Sequence, residues 1–256
     1  MADNVDVGQL EREVKQVYRS VATHPEEDRH FEMGRQLAER LGYRSADLDR
    51  VPDGALESFA GVGYHLDGAD FEPGNVVVDL GSGSGTDAFI AAGYVGESGR
   101  VVGIDMTHEQ IDKARAHRDA GGFESVTFEH GYIESLPFDA DSADVVISNG
   151  VINLSADKPA VFAEASRILR SDGRLAVADI VSEEPMPTSI TSNADLWAAC
   201  IGGAMQVDRY RELIEESGFR IESMTENPEY EFRSKQAADA CEKYGVKSIS
   251  LAARAV

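Results

Sequence analysis

Apolar positions along the chain follow two rhythms. Val7, Leu10, Val14, Val17, Tyr18 and Val21 recur at helical spacing, predicting an amphipathic helix over residues 7–22. A second helix is expected over residues 27–42, carrying Phe31, Met33, Leu37 and Leu41, with Gly42 as its stop. Val76-Val77-Val78 then breaks the rhythm with an uninterrupted β-branched run, the pattern of a strand buried on both faces. Further strands are expected at Arg100–Asp105, Val126–His130, Asp144–Asn149 and Gly173–Val181, with helices at Thr86–Ala92, Thr107–Ala120 and Pro159–Arg170 between them. Residues 188–205 read as mostly helical, Arg209–Ser217 as a helix stopped at Gly218, and Phe219–Met224 and Lys247–Ala253 as two closing strands. Regular alternation of this kind predicts an α/β domain: a seven-stranded, mostly parallel sheet with helices on both faces and an antiparallel pair at one edge. Residues 1–70 read as an N-terminal helical cap on the core, and residues 71–256 as the core domain with a helical insertion at about 185–205.

The chemistry concentrates after the first buried strand, in Asp79-Leu80-Gly81-Ser82-Gly83-Ser84-Gly85. A strand, a glycine-rich turn and a helix start together let bare backbone approach a ligand. A dinucleotide fingerprint would need glycine or alanine where Thr86 stands, and no Gly-Lys-Ser/Thr phosphate loop follows. The pattern Asp79-x-Gly81-x-Gly83-x-Gly85 resembles the first motif of the class I S-adenosylmethionine-dependent methyltransferases. That resemblance implies a Rossmann-like class I methyltransferase fold. Its cofactor is cationic and carries no phosphate, so an acid at the strand's end helps binding. Asp105 ends the second strand, where an acid takes ribose hydroxyls in nucleoside-binding folds. The alternative role is a cap for the next helix, but Thr107 and Gln110 have the spacing of a capping box, which would leave Asp105 for a ligand.

Several stretches resemble the arsenite methyltransferase family: the turn around Gly61-Val62-Gly63, Asp79–Gly85, Gly103–Thr107, Ile133–Pro137 and Ile147–Ser155. The resemblance implies adenine contacts at Met106, Ile133 and Glu134, and Asn149 falls at the sheet's switch point, where ligands sit in doubly wound folds. Members of that family carry converging cysteines where this chain has Val62 and Gly150, and Cys200 matches a third. Soft trivalent arsenic needs several thiolates, so a changed or reduced preference is expected. Cys200 is the one candidate catalytic residue, against the commoner fate of a free cysteine as a small buried hydrophobe. Tyr64, His65, Asn153, Asn193 and Trp197 are further candidates for the acceptor pocket. Three functions stay open: methyl transfer to a small molecule, methylation of arsenite or another metalloid through Cys200 with external thiols, and a non-catalytic S-adenosylmethionine-binding module. A nicotinamide oxidoreductase is disfavoured by Thr86.

Composition narrows the setting. Two cysteines give no disulfide framework and point to a reducing cytoplasm. No apolar run of membrane-spanning length exists, and the acidic N-terminus does not read as a signal peptide. His24 and His30 lie among Glu26, Glu27 and Asp28, but nothing fixes ligand spacing and no metal site is expected. Forty-six acids against 24 bases, a net charge of −22, disfavour nucleic acid and anionic membranes as partners. The acids are spread along the chain, which we read as adaptation to a salt-rich, halophilic cytoplasm where counterions screen self-repulsion. Melting temperature is therefore expected to rise between low and molar KCl in thermal melts, and equal stability in both would remove this reading.

Overall fold

A computed structural model of the chain describes residues 6–27, 29, 31–193, 196–197, 200–233 and 235–256. Its strands are β1 (Val76–Leu80), β2 (Arg100–Asp105), β3 (Val126–His130), β4 (Ala143–Asn149), β5 (Leu169–Ser182), β6 (Met205–Gln206), β7 (Phe219–Glu226) and β8 (Lys247–Ala255). They form one sheet in the order β3-β2-β1-β4-β5-β8-β7, with β6 pairing on β5. β8 runs antiparallel to both neighbours, whereas the pairs β1–β2, β1–β4, β2–β3, β4–β5 and β5–β6 are parallel.

The sheet has eight strands, not the expected seven. The extra strand is only two residues long, Met205 and Gln206 opposite Val181 and Ser182, too short to carry any periodicity. It falls at the end of the stretch read as helical, in which the turn Thr188–Thr191 and residues Leu196 and Trp197 are helical among the described residues. Residues 194, 195, 198 and 199 of that stretch lie outside the described set.

The valine run behaves as a doubly covered strand should. Val77 joins one core layer with Phe59, Phe89 and Phe128, while Val78 and Leu80 join the opposite layer with Phe162 and Ile104. Both layers are apolar, so no polar alternation is needed along β1. Helices cover the sheet: α6 (Thr86–Val95), α7 (His108–Gly121), α8 (Lys158–Ile168) and α10 (Val207–Glu216), with α9 being Thr188–Thr191. A last helix, α11 (Lys235–Tyr244), was not expected from the sequence.

The N-terminal segment is α1 (Val7–Thr23), α2 (Arg35–Arg40), α3 (Ser45–Leu48), α4 (Asp53–Glu57) and α5 (Leu66–Ala69). α1 starts where Asp6 accepts from the Gln9 amide at 2.9 Å, a side-chain N-cap. Among the described residues the helix expected over 27–42 is reduced to α2. Gly34, at φ +87°, sits outside helical space and donates its N–H to Phe59 O at 2.8 Å, so the helix begins only after it.

One glycine of the motif is a packing requirement. Gly85 has φ +97°, and a Cβ there would lie 2.6 Å from Phe128 Cζ and 2.9 Å from Phe89 Cε2. Those rings are buried and meet edge to face at 5.4 Å. Gly85→Ala is therefore expected to cost about 2–4 kcal/mol from overpacking and left-handed backbone together, read as a lower urea midpoint at unchanged m-value.

Candidate active site

Strand order reverses at the β1/β4 boundary, and a cleft of about 950 Å3, its solvent mouth included, opens at the C-terminal tips of β1, β2 and β4. This is where ligands lie in doubly wound sheets. Asp79, Gly81, Gly83, Asp105, Met106, Ile133, Glu134 and Asn149 all line it. Gly85 does not.

The motif's glycines have separate tasks. Gly81, at φ +73°, packs beneath Val151, whose side chain a Cβ would approach to 2.4 Å. Gly81 and Ser82 also donate their amides to Ile104 O, tying the turn to β2. Gly83, at φ +52°, is the open one: a Cβ there would meet only Gln110 Oε1, at 3.8 Å. Backbone is thus bared to a ligand chiefly at Gly83.

Three carboxylates gather around the turn. Asp79 is 2 % exposed and its Oδ2 has no partner among the described residues. Burial, then the neighbouring Asp87 and Asp105, push its carboxyl well above the usual range. Asp87 accepts from Tyr43 Oη at 2.6 Å and Asn149 Nδ2 at 3.2 Å. Asp105 accepts from Thr107 N at 2.8 Å through Oδ1 and from Gly83 N at 3.0 Å through Oδ2. Burial raises its carboxyl too, against the lowering pull of those two amides. The expected Thr107–Gln110 capping box is absent. Thr107 makes no side-chain cap, and Gln110 instead accepts from Ser84 Oγ at 2.6 Å and donates to Tyr18 O at 2.9 Å. Asp105 does not cap α7 either: it accepts from the amide of the N-cap residue itself and from Gly83, and each carboxylate oxygen keeps a second lone pair for a sugar hydroxyl.

A cationic, phosphate-free nucleoside fits this donor set. An orphaned buried carboxylate at the β1 tip matches an ammonium, the second acid matches a diol, and Met106 and Ile133 offer apolar flanks for a base. Glu134 is already engaged: it accepts from Ser155 Oγ at 2.5 Å. Asn149 is also committed, donating to Tyr43 Oη and Gly63 O and accepting from Val62 N, so its side chain joins the N-terminal segment to the core.

None of the six acceptor candidates lines the cleft. Tyr64 packs edge to face on Tyr43 and reaches Asp67. His65 is buried, with neither ring nitrogen partnered among the described residues, and burial lowers its pKa. Asn153 is buried on Asp179, donating through Nδ2 at 2.6 Å. Asn193 is exposed and caps the Leu196 amide. Trp197 donates to Thr191 O and covers Lys158 Nζ, 4.9 Å from the ring centre. Cys200 is buried with φ +61°, its thiol pushed up to about 12 by burial and then by Asp179. Its Sγ lies 4.0 Å from Gly150 O, and a Cβ on Gly150 would stand 3.1 Å from Val62 Cγ1. Val62, Gly150 and Cys200 thus converge on one wall, which holds a single thiol.

The sequence reading missed Val14 and Tyr18 of α1, which close the cleft from the N-terminal side together with Ser58–Gly61, part of a stretch whose sequence allows either a connector or a fold over the ligand. Val14 and Tyr18 lay in view only as members of a helical stripe, indistinguishable there from core. Among the described residues no group of three or more His, Cys, Asp or Glu could hold a metal ion; His30 and Asp28 lie outside the described residues.

The state of Asp79 generates a prediction. An ammonium beside it favours the ionised form, so binding of S-adenosylmethionine should release a proton at mildly acidic pH. Calorimetry in buffers of different ionisation enthalpy should show that release, and Asp79→Asn should abolish it. A carboxyl whose folded-state pKa is raised lowers stability as pH climbs past its unfolded value, so ligand-free Asp79→Asn should also melt higher than the parent at pH 7.

Comparison with known proteins adds the family. A model described as a methyltransferase domain matches residues 71–218. The arsenite methyltransferase of Halobacterium salinarum is 41% identical over 203 residues, which is 79% of this chain and 52% of that protein. The chain spans about half the length of the curated relatives it matches. An arsenic(III) S-adenosylmethionine methyltransferase from Chlamydomonas reinhardtii superposes with a TM-score of 0.68 at 33% identity, covering 82% of this chain and 72% of that one. The geranyl diphosphate C-methyltransferase of Streptomyces coelicolor, at 17% identity, shares the fold, with a TM-score of 0.69 over 95% of this chain and 98% of that one. With this cleft at the tips of β1 and β2, the chain belongs to the methyltransferase-domain family, as a class I S-adenosylmethionine-dependent member resembling the arsenite methyltransferases.

Proposed function

We propose that the chain transfers a methyl group from S-adenosylmethionine to a small-molecule acceptor, and that this acceptor is not arsenite held by three protein thiolates. The observation that carries the first half is the orphaned carboxylate of Asp79 inside a cleft that also presents Asp105 and the bared backbone of Gly83. The cofactor, when bound, supplies an electrophilic methyl on a sulfonium. What remains for the protein is orientation and exclusion of water. Asp79 holds the cationic tail, Asp105 the ribose, and Met106 and Ile133 the base. Val14 and Tyr18 shield the cleft from solvent.

The second half rests on the wall of Val62, Gly150 and Cys200. In the family that this chain resembles, thiols converge there; here one thiol is left, and it is kept protonated at neutral pH. A neutral thiol is a weak metal ligand. A second reading keeps Cys200 as one ligand of a metalloid brought in with external thiols such as glutathione, favoured by the electrostatic influence of Cys200 on Tyr18, which lines the cleft.

Formation of S-adenosylhomocysteine against a panel of small acceptors, with arsenite plus glutathione as one member, tests both. Turnover with an organic acceptor and none with arsenite is the expected result. Arsenite methylation lost in Cys200→Ser would favour the second reading, and arsenite methylation undiminished in that variant would remove it. Tight cofactor binding with no turnover on any acceptor would leave a binding module.

A further inference from the structure

Helix α1 lies over the cofactor cleft and contributes Val14 and Tyr18 to its lining. Its apolar hold on the rest of the protein is narrow, and polar contacts add to it. Only Leu10, Val14, Val21 and Ala22 of its 17 residues are buried. Across the cleft, in the loop after β3, stands Tyr132, another lining residue, which is 39% exposed. The Tyr132 hydroxyl donates to Glu11 Oε1 at 2.7 Å and accepts from Lys15 Nζ at 2.8 Å, while Lys15 and Glu11 pair at 2.7 Å. Three groups on two sides of the cleft thus close a ring of hydrogen bonds, and the Lys15 ammonium also lies 4.8 Å from the centre of the Tyr132 ring.

A second tie runs to the floor of the cleft. Gln110 accepts from Ser84 of the glycine turn and donates to Tyr18 O of α1. Arg19 adds an ion pair to Glu109 at 2.9 Å, exposed and therefore weak. α1 is thus joined both to the turn that meets the cofactor and to the loop expected beside its base.

We propose that Tyr132 is a positioning residue whose hydroxyl bolts α1 over the bound cofactor, so that cofactor enters and spent product leaves only when this bolt opens. The inference rests on reading the cleft as a cofactor site. It goes beyond that reading in making release of S-adenosylhomocysteine, rather than its contacts with the acids, depend on an exposed phenol on the opposite lip. A phenol suits the task. Its two hydrogen bonds go to ionised partners, which makes them stronger than neutral ones, yet they sit at the surface and can exchange with water.

The test uses the full chain with S-adenosylhomocysteine as probe. Tyr132→Phe removes only the oxygen and leaves the ring and the Lys15–Glu11 pair, so folding is not at stake. Surface plasmon resonance should show dissociation faster by about fivefold to tenfold, the combined effect of two solvent-exposed hydrogen bonds to ionised partners, with a melting temperature close to that of the parent. Glu11→Ala should accelerate release by a similar factor, and the double variant should be little faster than either single one, because both break the same ring. Amide exchange across α1 should slow when the probe binds the parent, and slow less in Tyr132→Phe. Release from Tyr132→Phe within twofold of the parent, additive effects in the double variant, or exchange in α1 indifferent to the probe would each overturn the bolt. A parent that does not bind the probe at all would instead take down the cofactor reading beneath it.

Discussion

The site depends on keeping negative charge where water is scarce. Asp79, Asp87 and Asp105 meet around one turn, and each is dealt with differently. Asp87 is satisfied by Tyr43 and Asn149, and Asp105 by two backbone amides. Asp79 keeps an oxygen with no partner among the described residues, an arrangement that costs folding energy without a ligand. Such a cost persists where the missing partner is the ligand, and the partner called for is a cation. The glycine turn, the left-handed backbone at Gly83 and the reversal of strand order all serve to bring a ligand to that carboxylate.

Much of this was legible because strong local patterns coincide with strong physical demands. The valine run before Asp79, the spacing of Gly81, Gly83 and Gly85, and an acid at the tip of β2 each follow from backbone and burial, so they mark the sequence directly. All seven strands that the alternation predicted are present. The failures have equally physical causes. β6 is too short to have a period. The helix expected over 27–42 is cut at Gly34, whose conformation is set by a tertiary bond to Phe59 that no local pattern reveals. Gln110 left its capping role because Ser84 and the α1 backbone, distant in sequence, offered better partners.

The acceptor side was the least readable, for a related reason. Asn149 and Asn153 attract notice as polar residues after a buried strand, but polarity near a cleft does not say which way a side chain is spent. Asn149 is consumed in fastening Gly63 and Val62 to the core, and Asn153 in satisfying Asp179. His65 and Asn193 likewise turn away, one into the interior and one into solvent. What faces the cleft instead comes from α1 and from Ser58–Gly61, apolar or small residues that look in sequence like ordinary packing.

The contact between Gly150 and Val62, which lie beside the cleft rather than in its lining, bears on how this region can change over evolutionary time. A side chain at position 150 must occupy left-handed backbone and press into Val62 at 3.1 Å. A lineage or a mutant library that filled position 150 with Val62 in place would meet two costs together, left-handed backbone and a contact that Val62 must relieve by shifting a few tenths of an ångström, and a smaller residue at position 62 removes the second. The two positions are therefore tied together on any route to a thiol-rich wall beside the cleft, because the bulk at one sets what the other can accept.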